Sequence, residues 1–262
     1  MSISADGTSV YEASAVDDAV TIFRRNTATG GLTWDGCVRD VANTDPGCAH
    51  AAGLDGLRVA DVSADGRSVS VAARDGRLRA VFDRDTTTGA ITSDGCFRDV
   101  EDTGPGCVAV QGLDGPHGIA QSPDGRSVYF PTETDDTTTT FVRDTATGAL
   151  TYAGCIRDIG SAGSGCASAE GLNGSRQVQI SAGGSSLYVA AAYDDAIVVF
   201  DRDAATGTLA WDSCVRDADR PSANRLRGRP GPRRRAWRRH QPGRRLRVRR
   251  SRARRRRRRL PS

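Results

Sequence analysis

Residues 118–130, GIAQSPDGRSVYF, contain a turn signal between two apolar runs. Pro123 presets the backbone angle φ for a turn, Asp124 can bond its own backbone, and Gly125 can adopt the left-handed conformation. The run that follows, SVYF, alternates and is rich in side chains that favour strands. This stretch therefore predicts two strands joined by a tight turn.

The same turn signal returns every 59 residues along the chain. It occupies residues 4–7, 63–66, 122–125 and 181–184, and a Thr-Gly pair follows each of them at a constant distance. A fixed period of this length indicates one supersecondary unit that is copied along the chain, with each copy packed against the next. The repeat therefore predicts much about architecture and less about function.

Each copy contains short segments with the character of strands. In the third copy, residues 138–142 and 149–152 follow the hairpin, and polar turns separate them. No segment has a sustained 3.6-residue apolar period, so we expect no helices. A repeated four-stranded unit is typical of a β-propeller blade, whereas an open β-solenoid, the alternative, normally has shorter rungs. We therefore predict an all-β propeller fragment of about three and a half blades in residues 1–217.

Six of the seven cysteines form pairs with a spacing of eleven residues: Cys37 and Cys48, Cys96 and Cys107, Cys155 and Cys166. A metal site would need four convergent ligands, and no CxxC or CxxH spacing occurs near these pairs. A local disulfide needs only the pair, and a loop of this size stabilises the fold by about 3 kcal/mol. We therefore predict three disulfides and leave Cys214 unpaired.

Regular disulfides are typical of an oxidising compartment, so we expect an extracytoplasmic or secreted parent protein. The first residues, MSIS, have neither the charged nor the apolar region of a secretory signal. We therefore expect that the reading frame lacks its true beginning. An incomplete propeller exposes open sheet edges, so we also expect marginal stability and aggregation.

The C-terminal region differs in composition from the repeats. Residues 220–262 contain 21 Arg and no acidic residue. The formal charge of +5 for the whole chain therefore does not reflect the acidic charge of the remaining residues. Residues 1–219 contain 16 Arg and all 32 Asp and Glu, a net charge of −16. An Arg-rich tail of this kind is typical of a nucleic-acid-binding arm or of a solvated, disordered extension.

A frameshift is a third interpretation of the tail, and the one we favour. If a GC-rich gene is read one base out of frame, residues 231–250 can encode GLDGARGVVTSPDGASVYVA, which has the spacing of residues 112–130, GLDGPHGIAQSPDGRSVYF. The same shift can place Gly-Cys near Arg225, in phase to pair with Cys214. We therefore interpret residues 218–262 as a frameshifted fifth blade that is disordered as written. On this interpretation we expect no nucleic-acid partner, and we expect no membrane span.

Two motifs of the repeat resemble those of the seven-bladed β-propeller lactonase family and of the related YVTN-type repeat propellers. They are GIAxSPDGxxxY at residues 118–129 and FxRDxxTGxL at residues 141–150. The resemblance covers residues 1–217 and implies about seven blades in the complete protein. It also implies a hydrolase of a sugar lactone or a similar cyclic ester.

The resemblance points to His117 and Glu133 as candidate catalytic residues. In the family, a Pro-Arg-His-Ile-Ala stretch and a later Glu are associated with the active site. Here the stretch reads PHGIA at residues 116–120, so the His lies one position early, whereas Glu133 falls on the family Glu. Because neighbouring residues of a strand face opposite sides, we expect His117 to point to the opposite face.

Two classes of function remain open. His117 and Glu133 could form an acid–base pair beside a central channel, or they could be a loop His and a solvated Glu at a strand end. The sameness of the repeats favours a non-catalytic binding or scaffold module that holds an unknown small-molecule or protein ligand. A lactonase-like hydrolase is the alternative.

The sequence predicts no cofactor. Asp-Asp pairs recur at residues 17–18, 135–136 and 194–195. Calcium could bind at these pairs, but the chemistry of hairpin turns explains them without a ligand. His50 follows Cys48 in an expected loop, and we assign it no role.

Overall fold

The computed structural model describes residues 1–43, 46–75, 78–103 and 106–217, together with the backbone of residues 246–250. All regular structure in these ranges is β-strand, and the predicted all-β fold class is confirmed. Within the same ranges, no helix is long and apolar enough to span a bilayer.

The strands form four five-stranded sheets, which we call blades 1 to 4. Blade 1 consists of β1 (Ser2–Ile3), β2 (Ser9–Ser14), β3 (Ala19–Arg25), β4 (Leu32–Asp40) and β5 (Ala49–Ala51). Blade 2 consists of β6 (Leu57–Val62), β7 (Ser68–Ala73), β8 (Leu78–Arg84), β9 (Ile91–Asp99) and β10 (Val108–Val110). Blade 3 consists of β11 (Ala120–Gln121), β12 (Ser127–Thr132), β13 (Thr137–Arg143), β14 (Leu150–Asp158) and β15 (Ala167–Ala169). Blade 4 consists of β16 (Ser175–Ile180), β17 (Ser186–Ala191), β18 (Ala196–Arg202), β19 (Leu209–Asp217) and β20 (Leu246–Arg250).

Four antiparallel strands in chain order make up the body of each blade. In blades 1 to 3 a short fifth strand then runs parallel to the fourth, as β5 does beside β4. The repeat pattern predicted about three and a half blades, whereas the structure has four sheets. The difference arises because Ser2–Ile3 already provides the first strand of blade 1.

The tail enters the described structure at one point, where β20 pairs antiparallel with β19. The rest of residues 218–262 lies outside the described residues. The frameshift, the disordered tail and the absence of a nucleic-acid partner therefore stay predictions.

Apolar cores hold neighbouring blades together. Phe82, Phe141 and Phe200 occupy the same position of the repeat, and all three are fully buried. Each belongs to a separate cluster of buried side chains. Burial of an aromatic side chain of this size contributes about 1.5–3 kcal/mol, so the periodic Phe is a main source of packing energy.

Disulfides close the loop between the fourth and fifth strands in blades 1 to 3. The bonds are Cys37–Cys48, Cys96–Cys107 and Cys155–Cys166, each with a Cα–Cα distance of 4.8 Å. The three predicted disulfides are therefore confirmed. Cys214 is buried and has no disulfide partner among the described residues.

The recurrent Asp-Asp pairs form the turn between the second and third strands. The second Asp of each pair has a left-handed backbone conformation, with φ of 49° at Asp18, 55° at Asp136 and 48° at Asp195. The carboxylate of Asp18 accepts a hydrogen bond from the backbone N–H of Gly56 at 2.8 Å, which links blade 1 to blade 2. The described residues contain no group of three or more potential metal ligands, and the absence of a cofactor stays a prediction.

Candidate functional site

Polar side chains from blades 2, 3 and 4 converge at the inner edge of the sheets. The first strands of neighbouring blades contact each other there, as β11 does with β16. His117 lies shortly before β11, Glu133 follows β12 directly, and Arg176 lies in β16. Each of these side chains therefore reaches the edge that lines the axis of a propeller.

Most of the site is built from two positions of the repeat. His117 occupies the position that Arg58 has in blade 2 and Arg176 has in blade 4. Glu133 occupies the position that Arg74 has in blade 2. The copies thus differ in charge at the inner edge, while their turns and cores stay alike.

The backbone of blade 3 holds His117 and Glu133 side by side. The N–H of His117 donates to the carbonyl oxygen of Pro131 at 3.2 Å, and the N–H of Glu133 donates to the carbonyl oxygen of Gly115 at 2.7 Å. These two bonds join the approach to β11 with the end of β12. The side chains are therefore neighbours although they are far apart in sequence.

The carboxylate of Glu133 is the centre of the site and is only 5% exposed. Its Oε1 accepts hydrogen bonds from the guanidinium of Arg176 and from the hydroxyl of Tyr193. Its Oε2 lies 2.5 Å from Nε2 of His117 and 3.6 Å from Nη2 of Arg74. Neither Oε2 of Glu133 nor Nε2 of His117 has an aligned hydrogen-bond partner among the described residues.

Electrostatics fix the charge of the two central groups. Burial alone would raise the pKa of Glu133, but hydrogen bonds from Arg176 and Tyr193 outweigh it, and the pKa falls to about 2. Burial lowers the pKa of His117, which the charge of Glu133 opposes only in part. At neutral pH the site therefore holds an ionised carboxylate beside a neutral imidazole.

The contact between His117 and Glu133 corrects one prediction. The one-residue shift was expected to turn the His to the opposite face, but residues 117–119 precede β11 and do not follow strand alternation. A Cβ at Gly118 would lie 2.8 Å from the carbonyl oxygen of Arg176. Position 118 therefore has no room for a side chain, and His117 reaches the carboxylate instead.

Sequence reasoning identified two members of this site and missed three. The structure brings the predicted His117 and Glu133 together and adds Arg74, Arg176 and Tyr193. The repeat could have identified both arginines, because Arg74 is equivalent to Glu133 and Arg176 is equivalent to His117 in other copies. His50, to which no role was assigned, was expected to lie in a loop. It lies instead in β5, at the outer edge of blade 1.

Such an arrangement can activate water next to an electrophile. In a neutral imidazole, the nitrogen that does not face Glu133 is suited to accept a proton at neutral pH. The guanidinium groups of Arg74 and Arg176 can stabilise negative charge that develops on an oxygen nearby. The ionised Glu133 keeps these cations in place.

Residues 103–216, which include His117 and Glu133, match the family model described as "Lactonase, 7-bladed beta-propeller". No curated protein matches the chain. The family match supports the lactonase alternative better than the non-catalytic module that the sameness of the repeats favoured.

Solved structures of similar fold include a periplasmic gluconolactonase from Pseudomonas aeruginosa, at 23% identity and a TM-score of 0.58, with 79% of this chain and 50% of that chain covered. A candidate 6-phosphogluconolactonase from Bacteroides fragilis is 22% identical, with a TM-score of 0.57 and coverage of 80% and 51%. Another candidate from Bacteroides uniformis is 20% identical, with a TM-score of 0.58 and coverage of 82% and 55%.

This chain therefore spans about half the length of these proteins. At such low identity the likeness shows the fold alone. The repeat motifs and the family match agree on the wider group: residues 103–216 are similar to the seven-bladed β-propeller lactonases.

Proposed function

We propose that the site around His117 and Glu133 hydrolyses a lactone, the cyclic ester of a sugar acid or of a similar hydroxy acid. The observation that supports this proposal is a neutral imidazole whose Nε2 lies 2.5 Å from an ionised carboxylate, beside two guanidinium groups. The match of residues 103–216 to the lactonase family supports it independently.

In the proposed reaction His117 is the general base. Its Nε2 faces the carboxylate of Glu133 at 2.5 Å, so Nδ1 takes a proton from a water molecule while the water oxygen attacks the carbonyl carbon of the lactone. The carbonyl oxygen becomes an oxyanion, which Arg74 and Arg176 stabilise. The bond between the carbonyl carbon and the ring oxygen then breaks, and the imidazolium of His117 returns the proton to the departing oxygen. The product is the open-chain hydroxy acid.

Glu133 acts on the other groups of the site in this scheme. With a pKa of about 2 it has no proton to donate at neutral pH, so it is not the acid. Its charge stabilises the imidazolium that forms on His117, and its Oε1 orients Arg176 and Tyr193. Loss of Glu133 should therefore impair both proton transfer and stabilisation of the oxyanion.

We place the parent protein outside the cytoplasm, since three disulfides in a chain of this size fit an oxidising compartment. A periplasmic enzyme is also among the similar structures. Because the chain spans about half the length of its relatives, the activity is proposed for a protein that carries these blades in a complete ring.

Hydrolysis of glucono-1,5-lactone, followed by proton release at constant pH, tests the proposal on a protein that carries these four blades in a complete ring. We expect hydrolysis above the uncatalysed rate, and a loss of 100-fold or more in kcat/KM with His117→Ala or Glu133→Ala. His50→Ala is the matched control because that residue lies in the outer strand β5. Hydrolysis that survives His117→Ala would contradict the assignment.

A further inference from the structure

Blade 4 places an aromatic side chain at the edge of the candidate site. Tyr193 lies in the turn after β17, and its hydroxyl donates a hydrogen bond to Oε1 of Glu133 in blade 3. The side chain is nevertheless 50% exposed. In the proposed hydrolysis Glu133 orients Tyr193 through this hydroxyl, whereas the ring has no role.

The aromatic residue is specific to blade 4. The same position of the repeat is occupied by Val16 in blade 1, Asp75 in blade 2 and Thr134 in blade 3. In blade 2 the carboxylate of Asp75 lies 3.8 Å from Arg58, which is the equivalent of Arg176. Blade 4 thus has an aromatic ring beside its Arg where blade 2 has a carboxylate.

Exposure is a property of this position in the repeat. Asp75 and Thr134 are exposed as well, although a following blade packs beside each of them. The position therefore lies outside the interfaces between blades. A further blade after blade 4 should leave Tyr193 as accessible as blades 3 and 4 leave these two residues.

Local contacts hold the ring of Tyr193 in place. Its backbone N–H donates to the carbonyl oxygen of Asn173 at 3.1 Å. A Cβ at Gly174 would lie 2.5 Å from Cδ2 of Tyr193, so the ring lies directly against the backbone of the loop before β16. The guanidinium of Arg176 also lies over the ring, with its Cζ 5.4 Å from the ring centroid. Because the side chain is already ordered, little conformational entropy is lost when a ligand contacts it.

An ordered, exposed ring beside charged groups is suited to a ligand that has both a C–H face and hydroxyl groups. The face of an aromatic ring carries partial negative charge, so it attracts C–H groups and also removes them from water. Glu133, Arg74 and Arg176 lie beside it and can bind polar groups of the same ligand. A cyclic sugar derivative combines these two features, whereas an open chain has no fixed C–H face.

We propose that Tyr193 is a specificity-determining residue whose exposed ring packs against the C–H face of a cyclic sugar lactone. This role rests on the proposed lactone hydrolysis and adds a preference for the closed ring. Hydrolysis opens the ring and removes its fixed C–H face. The contact with Tyr193 therefore favours the lactone over the hydroxy acid that is formed from it.

Two substitutions separate the ring of Tyr193 from its hydroxyl. Tyr193→Thr copies blade 3 and removes the ring, whereas Tyr193→Phe keeps the ring and removes only the hydroxyl. In a protein that carries these four blades in a complete ring, Tyr193→Thr should raise KM for glucono-1,5-lactone about tenfold relative to Tyr193→Phe. The two variants should share the same kcat, because both lack the hydrogen bond to Glu133.

Calorimetry with 1,5-anhydroglucitol gives a readout that needs no hydrolysis. This compound keeps the sugar ring but has no carbonyl carbon for water to attack. Its Kd should rise about tenfold with Tyr193→Thr and change by less than about twofold with Tyr193→Phe. The Kd of gluconate, the open-chain acid, should change by less than about twofold with either substitution.

This measurement also separates the role of Tyr193 from the proposed function. Binding of 1,5-anhydroglucitol that depends on the ring, in a protein that does not hydrolyse the lactone, would support the contact and contradict the hydrolysis. Hydrolysis that depends on His117, with a Kd for 1,5-anhydroglucitol unaffected by Tyr193→Thr, would overturn the contact and leave the hydrolysis standing.

Val16→Thr is the matched control, because Val16 has the same position in blade 1 and is 92% exposed. It should leave both KM and the Kd unchanged. An equal rise in the Kd with Tyr193→Thr and Tyr193→Phe would assign the effect to the hydroxyl and overturn the proposal. A protein that does not bind 1,5-anhydroglucitol would overturn it as well.

Discussion

Nε2 of His117 lies 2.5 Å from Oε2 of Glu133, at a point where two other blades add their cations to the same carboxylate. Burial lowers the pKa of His117 below its ordinary 6.5, although the negative charge of Glu133 raises it in part. The imidazole is therefore a base over most of the physiological pH range.

This relationship predicts a pH profile. If His117 is the general base, kcat/KM for lactone hydrolysis should rise with pH through the pKa of His117, below 6.5, and then level off. Glu133→Gln removes the charge that raises this pKa, so the rise should move to lower pH while the plateau falls about 10- to 100-fold. Initial rates from pH 4 to 8, corrected for uncatalysed hydrolysis, measure both effects. A rise that stays at the same pH would show that the titrating group is not His117.

The stability of the fold should depend on pH through Glu133. The pKa of Glu133 is about 2 in the fold and near 4.5 when the chain is unfolded, so its ionised form favours the fold. That contribution is complete above pH 4.5 and is lost as the pH falls towards 2. Thermal unfolding of the original chain and of Glu133→Gln should therefore give a difference in Tm of a few degrees at pH 7 that shrinks below pH 4. Glu12→Gln, on strand β2 of blade 1, is the control. An equal difference at pH 7 and pH 3 would contradict the assignment.

The buried side chain of Arg79 should lower the free energy of unfolding. Its side chain is fully buried between blades 2 and 3, and its guanidinium lies 4.1 Å above the ring of Phe130. None of its nitrogens has a hydrogen-bond partner among the described residues, and burial lowers the pKa of the guanidinium. Val20 and Ile197 occupy the same position in other blades.

We therefore expect Arg79→Ile to raise the free energy of unfolding by about 1–3 kcal/mol, since it removes an uncompensated buried charge. Urea unfolding measures the change, and Arg67→Ile at an exposed site should alter it by less than about 0.5 kcal/mol. A loss of stability with Arg79→Ile would reveal a favourable role for the buried cation.

Thiol counting should reveal the covalent pattern. In denaturant without reductant, one thiol per chain should react, that of Cys214, and all seven should react after reduction. Each disulfide is expected to contribute about 3 kcal/mol, so reduction should lower the Tm markedly. Cys214→Ser should abolish the reaction before reduction. Three or more reactive thiols in the unreduced chain would contradict the pairing.

Features set by neighbours in sequence were predictable. The turn at residues 122–125, the strands around it and the eleven-residue cysteine loops each depend on nearby side chains, and the structure contains all of them. The 59-residue period also predicted the repeated blade, because copies of one sequence fold into copies of one sheet.

The candidate site was predictable only in part. Motif position pointed to Glu133, and the His beside it was expected on the opposite face because a strand was assumed at residues 117–119. The contact with His117 arises from local backbone that is not a strand and from the lack of space at Gly118. Such details depend on the approach of blade 4 and are absent from any local pattern.

The sequence by itself therefore determined the blades, their turns and their disulfides, because these depend on residues close together in the chain. Only the tertiary structure decided which charges meet at the inner edge, since Arg176 and Tyr193 lie 43 and 60 residues from Glu133.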